Sequence, residues 1–161
     1  MRDFDRDKYS LVQEAILLNI NGEYEAAIER FNQAEDAYGE MIQIYLNRGS
    51  AYSSLNQINE AELNFEKCIQ LDSTYVPPYL NRGLIYIHSN RIDLGLADFN
   101  KAIELDPNEP ASYLNRAVAY KKLNKNQLAC SDLQKAMTLD MVKKYDDDMV
   151  IEMAKSLDCD F

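Results

Sequence analysis

Three asparagines stand at equal intervals in this sequence. Asn47, Asn81 and Asn115 each follow the last by 34 residues inside the run YLNRG or YLNRA, and Gln13 holds the same place one interval earlier. A carboxamide carries a donor and an acceptor on one side chain. It can therefore pair with both the C=O and the N–H of an extended peptide without reading that peptide's side chains, and three in register would form a ladder. Beside each asparagine stands an arginine, Arg48, Arg82 or Arg116. A row of arginines suggests an anion site, but the three intervals that carry them also carry Asp72, Asp106 and Asp140 at one fixed later position, whereas the first interval has Glu14 and Tyr38 in those two places. Charge pairs inside each interval, with the arginine stem packed on a helix, are the simpler expectation.

Other reactive residues offer less. His88 is the single histidine, and no serine or cysteine is placed beside it with a third orienting group. Phosphate-cradling glycine loops, HExxH and paired catalytic carboxylates are missing from the sequence. The expectation is a non-enzyme with no cofactor and no metal site. Cys68, Cys130 and Cys159 are odd in number and lack CxxC spacing, so they are expected to be reduced, packed side chains belonging neither to a disulfide nor to a zinc site. The N-terminus MRDFDRDKYS has no apolar stretch, and no apolar run nears the ~20 residues needed to span a bilayer. A cytoplasmic protein without membrane insertion is expected.

These residues need elements to hold them, and the 34-residue interval supplies the frame. Blocks 8–41, 42–75, 76–109 and 110–143 join without gaps, leaving residues 1–7 as an N-terminal extension and 144–161 as a C-terminal segment. Small residues recur in three columns: Ala15, Gly49, Gly83 and Ala117 at the eighth, Ala27, Ala61, Gly95 and Ala129 at the twentieth, and Ala34, Cys68, Ala102 and Ala136 at the twenty-seventh. Large residues hold complementary columns, such as Phe31, Phe65, Phe99 and Leu133. Large against small is how facing helices interdigitate. The fifteenth column, Gly22, Asn56, Asn90 and Asn124, holds the residue types that best tolerate a left-handed helix end, so each block reads as two antiparallel helices with a turn there. Pro77 and Pro110 can open helices, and Pro107 cannot continue one. In the C-terminal segment, Asp146, Asp147 and Asp148 precede the stripe Met149, Val150, Met153, Ala154 and Leu157, which predicts a capping helix over 146–158.

With its aromatic, Gly-x2-Tyr, Ala-x3-Phe order repeated every 34 residues, the chain resembles the tetratricopeptide-repeat (TPR) family over residues 8–143. It departs from the family pattern in having no Trp at the fourth column and Arg at the seventh in three blocks. The resemblance implies an all-α fold, a right-handed α-solenoid of antiparallel helix pairs in a single domain. It also implies that first helices line a concave groove, with columns 2, 5, 6, 9, 12 and 13 exposed to a ligand. On that implication the groove holds Gln13, Asn47, Asn81 and Asn115 as the ladder, which resembles the asparagine ladder of the O-linked N-acetylglucosamine transferases. Val12, Ile16, Ser50, Leu84, His88, Lys121 and Lys122 line the rest of it. The chaperone carboxylate clamp of the family is not expected, because every cationic clamp position is uncharged here: Val12, Pro77 and Asn81 in one register, Leu46, Ala111 and Asn115 in the next.

The implied function is a protein-interaction adaptor that binds an extended or C-terminal segment of a partner protein. The alternative is an assembly subunit that self-associates, as a homo-oligomer or within a larger complex, through an apolar first block in which Tyr9, Val12, Ile16 and Ile20 would face outward. Net charge is −10, but residues 1–41 carry −6, residues 110–143 carry +4 and residues 144–161 carry −4. Such an acidic molecule suits neither nucleic acid nor an anionic membrane.

Overall fold

The computed structural model describes the backbone of residues 3–139 and 147–160 and the side chains of 10–139 and 150–160. The described residues form nine helices and no strand. They are α1 Asp3–Ile20, α2 Tyr24–Tyr38, α3 Ile42–Ser54, α4 Ile58–Leu71, α5 Pro77–His88, α6 Ile92–Leu105, α7 Pro110–Lys122, α8 Asn126–Thr138 and α9 Asp147–Ser156. The backbone of α1 runs through residues 3–7, a stretch that the sequence reads as an extension ahead of the first block. The chain comprises two compact units, residues 1–78 and 79–161, where the sequence reads as one domain. In a repeat array each helix pair packs on its sequence neighbours, so no one core is shared by all pairs.

The fifteenth column closes each first helix as its residue types require. Gly22, Asn56, Asn90 and Asn124 have φ of 83°, 58°, 60° and 56°. In each case the next residue's N–H reaches five residues back: Glu23 to Leu18 O, Gln57 to Tyr52 O, Arg91 to Tyr86 O and Lys125 to Tyr120 O, at 2.8–2.9 Å. This is the six-to-one bond of a Schellman turn, which satisfies carbonyls that the helix end leaves open. It also sets the second helix back along the first. α7 opens at Pro110, and the Glu109 side chain accepts from Ala111 N at 3.1 Å.

In unit 1, Phe31 and Phe65 are wholly buried, and Val12, Ala15, Ala27, Ala34 and Ile44 form one cluster with Phe31. A Cβ on Gly49 would lie 2.7 Å from the Phe65 ring. In unit 2, a Cβ on Gly83 would lie 2.5 Å from the Phe99 ring, and one on Gly95 would lie 2.6 Å from Ile87 Cδ1. The small columns are thus the floor on which the aromatic column rests.

At the end of unit 2, α9 packs on α8. Val150, Ala154 and Leu157 close over Leu114, Ala117, Ala129 and Leu133 in a single buried cluster. Of the expected helix 146–158, Asp146 and the side chains of Asp147, Asp148 and Met149 lie outside the described residues. The expectation of reduced cysteines fails for two of three. Cys130 of α8 and Cys159, just past α9, form a disulfide with a Cα–Cα distance of 5.5 Å. Their 29-residue separation shows no motif in the sequence, and only the docking of α9 brings them together. Cys68 is buried and free, and burial pushes its thiol pKa up to about 12.

Candidate functional site

The arginines next to the asparagines are structural, but not with the partners expected. Arg82 Nε and Nη2 donate to both oxygens of Asp98 at 2.9 and 2.7 Å, and Arg116 does the same to Asp132 at 2.7 Å. Arg48 donates to Asn64 Oδ1 at 2.9 Å, and to Asn32 Oδ1 and Glu35 Oε2 at 2.6 Å each. Glu14 and Arg30 make the same link with the charges exchanged, at 2.8 Å. Each link to the twenty-third column spans 16 residues across the turn of an antiparallel pair.

Asp72 and Asp106 lie past the end of the second helix, where they instead accept from Thr74 N and Asn108 N and shape the loop. Asp140 lies outside the described residues. The missed signal was available in the twenty-third column, which reads Arg30, Asn64, Asp98, Asp132 against Glu14, Arg48, Arg82, Arg116. Tyrosines complete the seat. The Arg82 guanidinium lies 5.9 and 5.8 Å from the rings of Tyr79 and Tyr86, and that of Arg116 lies 5.7 and 5.8 Å from Tyr113 and Tyr120. The hydrogen bonds to Asp132 raise the Arg116 pKa. Burial pushes the Glu35 carboxyl up, but hydrogen bonds from the Tyr45 hydroxyl and Arg48 outweigh it and hold the pKa below the usual value.

With the arginines turned inward, the amides are left at the surface. In unit 1, Asn47 is half-buried, and its Nδ2 donates to Gln43 O at 2.8 Å within its own helix. Gln13 is exposed, and Asn19 Nδ2 donates to Asn47 O at 3.3 Å. Ser50 is half-buried and donates back to Leu46 O at 3.0 Å. Val12 corrects the expectation of an apolar groove lining. It is only 4% exposed and packs into the cluster with Ile44, because the face of α1 that bears it meets α3. Ile16 is half-buried on the same cluster, and the Tyr9 side chain lies outside the described residues. Among the described residues, the exposed large apolar side chains of α1 are instead Leu17 and Ile20, at 59% and 74%.

In unit 2, Asn81 and Asn115 are half-buried, and among the described residues neither side chain makes a hydrogen bond. Leu84 is half-buried against the cluster of Ile87, Phe99 and Ala119. His88 is exposed, and its Nδ1 lies 2.8 Å from Leu84 O. A carbonyl can only accept, so Nδ1 carries the proton and Nε2 is left for other partners. Lys121 and Lys122 are exposed and reach to Ser156 Oγ at 2.9 Å and Ile87 O at 3.4 Å. Among the described residues no group of three or more His, Cys, Asp or Glu is arranged to hold a metal, and no helix is long and apolar enough to cross a membrane.

Two family models match the chain. One described as "TPR repeat" matches residues 83–124, and one described as "Tetratricopeptide repeat" matches residues 42–75 and 110–140. No curated protein sequence matches. Among solved structures, MamA from Desulfovibrio magneticus RS-1 superposes with a TM-score of 0.75 at 20% identity, over 86% of this chain and 78% of that one. A thermophilic TPR protein of Thermus thermophilus gives 0.75 at 17% identity, over 94% of this chain and 91% of that one. A tetratricopeptide repeat protein from Parabacteroides merdae gives 0.77 at 18% identity, over 93% and 57%. At these identities the likeness is one of fold.

Proposed function

The chain belongs to the tetratricopeptide-repeat family, and from that premise we propose that it is a non-catalytic adaptor holding an extended peptide of a partner protein against its first helices. Repeats of this kind are protein-interaction scaffolds, and the finer reading rests on one observation. Asn81 and Asn115, one repeat apart on α5 and α7, are half-buried with their carboxamides unengaged among the described residues. A polar group kept partly out of water and unused inside the fold is suited to pairing with a passing backbone. Within unit 1, taken by itself, Asn47 on α3 offers only its acceptor oxygen, since its amide nitrogen is used within the helix.

The test is a pull-down from native extract using wild type and the triple change Asn47→Ala, Asn81→Ala, Asn115→Ala, with matched helicity and melting temperature. A partner held by wild type and released by the triple variant supports the ladder. Identical partner sets sink it. Leu17 and Ile20, exposed on α1, favour the second reading, an assembly subunit that associates through the first block. The molar mass in solution, read on the same samples, separates the two.

A further inference from the structure

The peptide face of unit 2 differs in charge from that of unit 1, and we infer that it takes an acidic, apolar segment, with carboxylates placed over the C-terminal ends of α5 and α7. The inference rests on the adaptor reading and specifies its ligand. On α5 the residues Asn81, Leu84 and His88 follow one another at steps of three and four, and on α7 Asn115, Val118 and Lys122 do the same. Those steps put each trio on one helix face. Lys122 Nζ lies 3.4 Å from Ile87 O, so the α7 stripe is tied to the α5 stripe at its cationic end. Each stripe therefore runs from an amide through a half-buried aliphatic side chain to a nitrogen group, and Lys121 widens the cationic end.

Among the described residues no charged group neutralises these lysines. Lys121 and Lys122 meet only uncharged oxygens, and among the described residues no carboxylate forms an ion pair with Lys121, Lys122 or Lys125. The neighbouring arginines contrast with this, because Asp98 and Asp132 hold Arg82 and Arg116 in two-pronged pairs. Of the fixed positive charges on α7, the two lysines alone face outward. The corresponding positions of unit 1 are Asn47, Ser50 and Ser54 on α3 and Gln13, Ile16 and Ile20 on α1, all uncharged. A segment recognised by unit 1 gains nothing from carboxylates, whereas one recognised by unit 2 gains attraction, orientation and a faster encounter from them.

The test uses the full chain and two fluorescein-labelled decapeptide pools. One alternates Ala, Leu and Val with Asp and Glu, and the other has Asn and Gln in place of every acid. Fluorescence anisotropy should show the acidic pool binding about tenfold more tightly, on the scale of one well-placed charge pair. That advantage should vanish with the double change Lys121→Glu, Lys122→Glu and shrink at high salt. The milder double change Lys121→Gln, Lys122→Gln should remove it too, which guards against a reversal that unfolds the chain. Equal affinity for the two pools, still lost on Asn81→Ala with Asn115→Ala, would overturn the acidic preference and leave the adaptor reading standing. No binding of either pool would overturn both. An acidic preference that survives both lysine variants would overturn the assignment to this face.

Discussion

Gly83 has no room for a side chain. The position a Cβ would take is 2.5 Å from the buried Phe99 ring, and the same contact at Gly49 is 2.7 Å from Phe65. Column by column the pairs are Ala15 with Phe31, Gly49 with Phe65, Gly83 with Phe99 and Ala117 with Leu133, so the chain already contains a smaller partner set against a larger floor. Gly83→Ala alone should lower the unfolding free energy by about 1–3 kcal/mol through overpacking. Combined with Phe99→Leu, which copies Ala117 and Leu133, the loss should be smaller than the sum of the two single losses. Urea unfolding of the four-member cycle measures this, and strict additivity would show that the two sites do not press on each other. The small columns were legible because they recur at a fixed interval. The arginine partners were not, although the exchange of Glu14 and Arg30 for Arg82 and Asp98 encoded them. An aspartate repeated at the thirty-first column was the more conspicuous pattern, and its loop role in Asp72 and Asp106 depends on where the second helix stops.

At the scale of elements, the eight helices of the repeats follow directly from turn residues and spacing, whereas α9 owes its place to what it covers. Its Val150, Ala154 and Leu157 close the cluster of Leu114, Ala117, Ala129 and Leu133, which would otherwise face solvent at the end of unit 2. The Cys130–Cys159 bond closes a separation of 29 residues around that helix. Cys159→Ser should therefore cost about 3.5 kcal/mol of unfolding free energy, the chain-entropy scale for a loop of that size, and should raise hydrogen exchange in α9 before any other element of unit 2. Thiol titration supplies the accompanying check. The native chain should offer no reactive thiol, because Cys68 is buried with its pKa pushed up to about 12, and the denatured, unreduced chain should offer one. Three reactive thiols on denaturation alone would remove the disulfide. Sequence spacing could not reveal this bond, since neither cysteine carries a local motif and the pairing exists only once α9 is docked.

For the molecule as a whole, acid is the informative perturbation. Burial pushes the Glu35 carboxyl up, yet the hydrogen bonds from Tyr45 and Arg48 leave its pKa below the ordinary value. A carboxyl depressed by folding contributes stability above its unfolded pKa of ~4.3, and that contribution is lost as pH falls through the lower, folded value. The melting temperature should drop as pH falls below about 4, and Glu35→Gln should be less stable than wild type near neutrality and flatter in the acid range. Parallel profiles for the two proteins would show that Glu35 is not depressed. The sequence by itself determined the repeat, the helix pairs, their turns and the amides at one register, because each follows from local backbone preference or from a pattern that 34-residue spacing repeats. Tertiary structure alone decided that Val12 is core, that the arginines turn to the twenty-third column, that Cys130 meets Cys159, and that Lys121 and Lys122 remain unneutralised among the described residues. Each of those depends on which helix face meets which neighbour, and a single chain's letters fix that only after the helices have packed.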